Sequence, residues 1–430
     1  MTSTSRRFPG IAHRQGIAYK VAVGLVLIVL LWLSVAVSFE GVFARRDPVV
    51  ALRWAPWSAQ AKIVQSTALA TDTATDTAGS AATATGAGTA ADPATIAKAR
   101  TLAQQALDRS PVQASAARAI GVAALSARDN ATAGRAFTYA ARLSRRDLPT
   151  ELYWIESNVT RGDIRAALHH YDVAMSVSVK SRAMLGNILI AASAEPNVAT
   201  ELAKLLKTQP RWLPEFYQRL MGQGENPATL AHIANVMAFD GRDPGQAPFV
   251  SMTLNRLVAL GAYGEARTLY RRSVGGADET VRNASFERAN TLQPFDWIIA
   301  SEPTYSGIIE TRTGWPHGNV LTIAGTEAND VARQLLLLVP GQYRLSADTA
   351  NVRQERETRP LLTISCVSDN RAVMSAPFAA AGAKPAAMQG MFTVPANCPA
   401  QWIAIRNTPS FDPVDSDPWI DRIVVQRIGR

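Results

Sequence analysis

The side chains with chemical reach lie mostly in the last third of the chain. Trp297, Tyr305, Trp315 and Trp402 offer flat apolar faces with polar rims, the kind of surface that stacks on a sugar ring. Trp402 sits in the alternating run Trp402-Ile403-Ala404-Ile405, so the core is its expected place. Trp315, in Thr313-Gly314-Trp315-Pro316-His317-Gly318, falls in a loop and is the better surface candidate. A paired-carboxylate glycosidase needs no sequence signature, and Glu287 and Asp421 are the acids on which such a reading rests. Asp412, Asp415 and Asp417 in FDPVDSDPW have cation-loop spacing but lack the glycine and terminal Glu of a calcium loop. A solvated acidic loop is therefore expected there. Arg344, Arg353, Arg356 and Arg359 can meet an anionic polymer, although Glu355 and Glu357 interleave with them as in a solvated loop. His169 and His170 are consecutive on a helix and point apart, which suits a shared metal badly. His232 has no evident partner, and His317 lies in a turn. The chain has no G-x-S-x-G elbow, P-loop, G-x-G-x-x-G fingerprint or H-E-x-x-H.

The elements that must position these residues begin with Val21–Phe39, a run without an ionisable side chain. At about 1.5 Å per residue it spans roughly the hydrocarbon core of a bilayer. It shows no polar stripe, unlike a soluble core helix. Its length favours a retained anchor over a cleaved signal with Ala36-Val37-Ser38 as the cleavage site. Arg6, Arg7, Arg14 and Lys20 precede it, and Arg45, Arg46 and Arg53 follow. The expectation is a cytoplasmic tail over 1–20, a transmembrane helix over 21–39, and the bulk of the chain in a periplasm. The formal charge of +9 suits acidic surfaces, which outside the cytoplasm are anionic glycans or lipid headgroups rather than nucleic acid. Cys366 and Cys398 are the only cysteines, and in an oxidising compartment they read as one disulfide. No transition-metal site is expected from them.

The middle of the chain repeats. Ala99, Ala103, Ala106 and Pro111 recur as Ala133, Phe137, Ala140 and Arg145, and again as Ala167, Tyr171 and Ala174. Asp129-Asn130 and Gly162-Asp163 fall where the turn inside each unit belongs. The pattern resembles the tetratricopeptide repeat, whose period is about 34 residues. Weaker echoes run from Leu202 to Trp212 and from Gly261 to Arg272, and a half-repeat surrounds Ala51 to Ala61, so the helical array is expected over 48–280. The tract 66–91 is nearly all Ala, Thr, Gly, Ser and Asp, and a disordered insertion is expected there. The resemblance implies a concave surface for an envelope protein partner.

From about Val281 short alternating runs are separated by Gly, Pro and Asn, the texture of β-structure. Leu335–Val339 and Tyr343–Ala347 read as two strands joined through a tight turn at Pro340-Gly341, and Leu361–Val367, Trp402–Arg406 and Ile420–Ile428 add further strands. Asn283-Ala284-Ser285-Phe286-Glu287, Phe295-Asp296-Trp297, Val339-Pro340-Gly341-Gln342-Tyr343 and the closing Trp419-Ile420-Asp421-Arg422-Ile423 together resemble the galactose-binding-like jelly roll of carbohydrate-binding modules. That resemblance covers 281–430. It implies first and last strands side by side and a structural calcium held by Glu287 and Asp421, although Arg422 stands where the family carries a second acid.

The combined expectation is a multidomain chain with a transmembrane helix, an all-α solenoid and an all-β jelly roll. By resemblance to accessory factors of surface-polysaccharide assembly or export, it would be a non-catalytic protein of the inner membrane. Its partners would be envelope proteins and an acidic or neutral polysaccharide, with no nucleic acid. The other readings are a glycan-acting enzyme using carboxylates of the β-domain and a purely structural scaffold.

Overall fold

The computed structural model describes residues 11–78, 92–275, 279–408 and 417–429. The protein is multidomain, α first and then β, and its chain divides into two compact units, Met1–Ser178 and Val179–Arg430.

The first unit opens with α1, Ile11–Phe43. Its segment Ala22–Phe43 is, among the described residues, the one helix long and apolar enough to cross a membrane, and it extends past the expected 21–39. Among the described residues seven more helices follow, each packed chiefly on its neighbours in sequence: α2 (Pro48–Trp54), α3 (Ala59–Ala78), α4 (Pro93–Arg109), α5 (Ala114–Ser126), α6 (Asn130–Leu143), α7 (Leu148–Thr160) and α8 (Ile164–Val177). The expected insertion over 66–91 is helical through Ala78 instead, and the rest of that tract lies outside the described residues. Composition misled because alanine is the best helix former. Thr67 and Thr71 direct their hydroxyls to carbonyls one turn back, Ser66 donates to Ala99 O at 2.7 Å, and Ala70 is buried.

The sequence period is visible in the helix bounds. α5 begins at Ala114 and α7 at Leu148, while α6 begins at Asn130 and α8 at Ile164, the same step of thirty-four residues each time. Asp129 and Asp163 cap α6 and α8 by accepting from Thr132 N and Ala166 N, both at 3.0 Å. Arg128 and Gly162, just before those caps, adopt left-handed backbone with φ of 56° and 72°. The repeating positions Ala99, Ala103, Ala106, Ala133, Phe137, Ala140, Ala167, Tyr171 and Ala174 are all buried. Small residues let helices approach closely, and a Cβ at Gly121 would lie 2.7 Å from the Phe137 ring.

The second unit holds α9 (Val179–Ala192), α10 (Pro196–Leu206), α11 (Leu213–Gln223), α12 (Pro227–Met237), α13 (Ala247–Ala259) and α14 (Tyr263–Val274), followed by the β-region. Among the described residues eleven strands make two antiparallel sheets: β1 (Ile298–Ile299), β2 (Ser301–Glu302), β3 (Tyr305–Thr311), β4 (Asn319–Gly325), β5 (Asp330–Leu336), β6 (Gly341–Ala350), β7 (Leu361–Cys366), β8 (Ala372–Pro377), β9 (Ala386–Val394), β10 (Gln401–Arg406) and β11 (Trp419–Ile428). One sheet has the order β1-β5-β10-β7-β8, and the other has β2-β3-β4-β11-β6-β9. Leu321, Leu345, Ile364, Ile403, Ile405 and Ile420, drawn from both sheets, meet in one core. The pair expected around Pro340-Gly341 is not a hairpin. β5 ends at Leu336 in one sheet and β6 begins at Gly341 in the other, with Leu338 buried at the crossing.

The Cys366–Cys398 disulfide is formed, with both sulfurs buried in the sandwich. The joint between α14 and the sandwich centres on Asp296, buried in the landmark Phe295-Asp296-Trp297. It accepts from Thr291 N, Leu292 N and the Tyr270 hydroxyl, with the Arg282 guanidinium 3.7 Å away. Burial and the neighbouring Asp296 charge push the Tyr270 hydroxyl well above its ordinary pKa.

Candidate functional site

The residues singled out in the sequence scatter in an informative way. Trp297 is fully buried against Phe286 and donates its indole N–H to Asn283 O at 3.2 Å, so it cannot meet a ligand. Its landmark is a core motif. Tyr305 is half-buried at the start of β3 beside the sandwich core. Trp402, expected in the core, is half-buried on β10 with the Arg333 guanidinium over its ring at 4.8 Å. Strand alternation turns Trp402 outward while Ile403 and Ile405 turn inward.

Trp315 and Asp421 are brought together. The loop between β3 and β4 folds back so that Trp315 lies on the outer face of the second sheet, against a small apolar patch of Val320, Ala350 and Trp419. Its indole N–H donates to Asp421 Oδ2 at 2.8 Å, and the ring tilts against Trp419 with centroids 5.2 Å apart. The backbone accounts for this geometry. β11 pairs with β6 so that Asp421 faces Asp348, and the register then slips between Asp421 and Val424. Arg422 occupies that bulge in the left-handed region, with φ of 50°. The bulge keeps Asp421 on the outer face and swings the Arg422 side chain back over it.

Arg422 closes the cluster. Its guanidinium pairs with Asp348, sits 5.3 Å from the centre of the Trp315 ring, and approaches His317 Nε2 at 3.4 Å. His317 in turn stands edge-on to Trp315, with centroids 4.7 Å apart. Arg422 thus supplies positive charge beside two aspartates that face each other across the strand pair. Beside it Arg312 joins Glu310 at 2.8 Å, Thr322 at 3.1 Å and Asp417, while Asn351 donates to Asp417 at 2.9 Å. Asp412 and Asp415 lie outside the described residues.

Burial pushes the Asp421 carboxyl above its ordinary value of 3.8, and the nearby Asp348 charge acts the same way. The N–H groups of Trp315 and Arg422 and the guanidinium of Arg422 oppose the shift. A buried acid with a raised pKa, a left-handed non-glycine residue and a half-buried tryptophan thus meet around one bulge.

Glu287 does not reach Asp421. Its Oε1 accepts from Asn319 N at 2.6 Å, and its turn segment touches β11 through Ile423 N donating to Ala284 O at 3.1 Å. The side-by-side first and last strands implied by the resemblance reduce to that single backbone bond, because β11 lies between β4 and β6. Both carboxylates are thus surrounded by N–H donors, and among the described residues no group of three or more His, Cys, Asp or Glu gathers around a metal position. Apart from each other and held by N–H donors, the two carboxylates do not form a shared site for a hard dication, which takes six or more oxygens.

Of the other histidines singled out, His170 meets Glu151 at 2.7 Å, His232 meets Thr200 at 3.0 Å, and His169 stands edge-on to His170. Asp348, Arg312 and Arg422 were missed as site residues. The polar positions of β6 and the departure at Arg422 were the only signals for them in the sequence.

No protein-family model matches the chain, and no curated protein matches it. Solved structures to which it is similar include the enzymatically active domain of bacteriophage CBA120 tailspike protein 4, at 13% identity and a TM-score of 0.25, covering 35% of this chain and 21% of that one. A xylan-binding domain from Paenibacillus barcinonensis is similar at 12% identity and a TM-score of 0.25, covering 34% and 93%. A family 16 carbohydrate-binding module is similar at 17% identity and a TM-score of 0.26, covering 35% and 100%.

Proposed function

We propose that this chain is a membrane-anchored, non-catalytic binding protein of a cell envelope. Its sandwich engages a glycan over the outer face of the second sheet, and its helical repeats, a tetratricopeptide-like solenoid, engage a protein partner. The observation that carries the glycan reading is Trp315, held half-exposed by Asp421 with Arg422 and His317 at its edges. An indole face framed by groups that donate and accept hydrogen bonds matches a sugar ring, which is apolar on its faces and polar at its rim. The apolar helix Ala22–Phe43 and the buried disulfide support a setting across a membrane in an oxidising compartment. The role in surface-polysaccharide assembly or export rests on the resemblance to accessory factors of that process, and an anchor joined to a glycan surface supports it.

The test is affinity electrophoresis of the detergent-solubilised full chain through gels carrying a polyuronate or a neutral glucan. Retardation by at least one polymer, lost in Trp315→Ala and kept in Trp402→Ala, is the expected result. Unchanged mobility of the unmodified chain in both gels would overturn the glycan reading and leave a structural scaffold.

A catalytic reading has one observation in its favour: Asp421, with its raised pKa, faces Asp348 across a strand pair. Against it, both Asp421 oxygens are occupied by N–H donors, and Asp348 is held by Arg422. Reducing-end release from either polymer, abolished by Asp421→Asn, would establish hydrolysis instead.

A further inference from the structure

The aromatic residues that follow α1 do not point away from it. Trp57, in the connection between α2 and α3, packs edge-on against Trp32 with ring centroids 5.4 Å apart. Trp54, at the end of α2, stacks on Phe39 at 5.1 Å, and Phe39 stacks on Phe43 at 5.3 Å. Ala36 between them is fully covered, while Val37, Val42 and Val49 stay exposed at 58%, 57% and 49%.

Trp32 lies well inside Ala22–Phe43, about 16 Å before the helix end at 1.5 Å per residue. A span that began at Ala22 and ended before Trp32 would cover only about half of a 30 Å hydrocarbon core. If α1 crosses a bilayer, Trp32 is therefore inside it, and whatever stacks on Trp32 enters with it.

We infer that the segment Asp47–Ser58 is a membrane wedge: α2 with Trp54, and Trp57 just after it, lie in the outer leaflet against α1, and Arg45, Arg46 and Arg53 reach the anionic headgroups above. This inference rests on the reading of α1 as an anchor and adds a second, peripheral contact.

Several of the segment's polar groups are paired within it. A chain segment in lipid must satisfy its own polar groups. Asp47 accepts from Val50 N at 3.0 Å, Ala55 N donates to Ala51 O at 2.8 Å, and Ser58 N donates to Ala55 O at 3.0 Å. The buried Ser58 hydroxyl accepts from Ala61 N at 3.1 Å, and Pro48 and Pro56 carry no N–H. Trp54 is 41% exposed and Val49 49%, and Val37 and Val42 of α1 are exposed as well. Trp54, stacked on Phe39 close to the helix end, lies nearest the headgroup level that tryptophan favours, and exposed arginines extend to phosphates from there.

Spin labels on single cysteines in the full chain test this directly, because both native cysteines are tied up in the disulfide. Val37→Cys reports the span, Val49→Cys the wedge, and Val112→Cys, at a site 82% exposed on the connection before α5, reports water. In vesicles of phosphatidylethanolamine and phosphatidylglycerol, the accessibility to oxygen relative to a water-soluble nickel chelate should be highest at 37. It should be several-fold higher at 49 than at 112, and should fall at 49 alone when Trp54 and Trp57 are both changed to Ser.

A water-like ratio at 49 with a lipid-like ratio at 37 overturns the wedge and leaves the anchor. Water-like ratios at both positions overturn the anchor reading itself. Low collision with both reagents at 49 means that protein covers the segment, which also overturns the wedge.

Discussion

The repeat helices α3–α8 and the β-sandwich reach stability by opposite routes. The helices meet through Ala99, Ala103, Ala116, Ala133 and Ala140, side chains so small that the backbones themselves are brought together. The sandwich fills its interior with large groups, among them Trp297, Phe286, Phe378 and Phe392, and adds a disulfide. Each alanine contact removes little apolar area, so stability in the array is spread over many weak interfaces between neighbours. In the sandwich a few side chains carry much of it. The helices are therefore most sensitive to a group added, and the sandwich to a group removed.

That asymmetry can be broken or sharpened experimentally. Trp297→Ala should have the largest effect, about 3–5 kcal/mol off the sandwich, read as loss of its denaturant midpoint with the helical transition unmoved. Gly121→Ala adds one methyl against Phe137 and should cost about 1–3 kcal/mol in the repeats. Adding Phe137→Leu should recover part of that, and equal loss in the double variant would refute the overpacking account. Asp163→Ala removes one cap of α8 and should cost about 1 kcal/mol, seen as faster amide exchange in α8 with the sandwich untouched.

The smallest effect concerns pH. Because the folded pKa of Asp421 is raised by burial, its contribution is fully present below the unfolded value and is lost as pH rises through the folded one. Sandwich stability should therefore decline more steeply across that interval in the unmodified chain than in Asp421→Asn. A profile unchanged by the substitution would place the carboxyl in water.

Much of this was legible beforehand, for identifiable reasons. The helical period was readable because close packing restricts particular positions to Ala or Gly, and restriction leaves a trace in the chain. The α3 tail was misread because an Ala and Thr tract satisfies helix propensity even where it lacks large apolar residues. The strand positions were largely visible through alternation, whereas the Pro340-Gly341 hairpin was not. A sheet-to-sheet crossing and a tight turn use the same residues there, and only the pairing partners differ. Trp402 left its expected place in the core because an aromatic type does not reveal which face of a strand it occupies.

The residue order by itself determined the apolar length of α1, the spacing of the repeats, the sites of β-structure and the availability of two cysteines. All of these follow from local pattern and from what single side chains can bury. The tertiary structure alone decided that Trp315 rests on Asp421, that Arg422 stands between two aspartates, and that Trp57 returns to Trp32. Those contacts join residues distant in the chain through a register slip, a folded-back loop and a short helix, and their geometry is set by packing that no local pattern encodes.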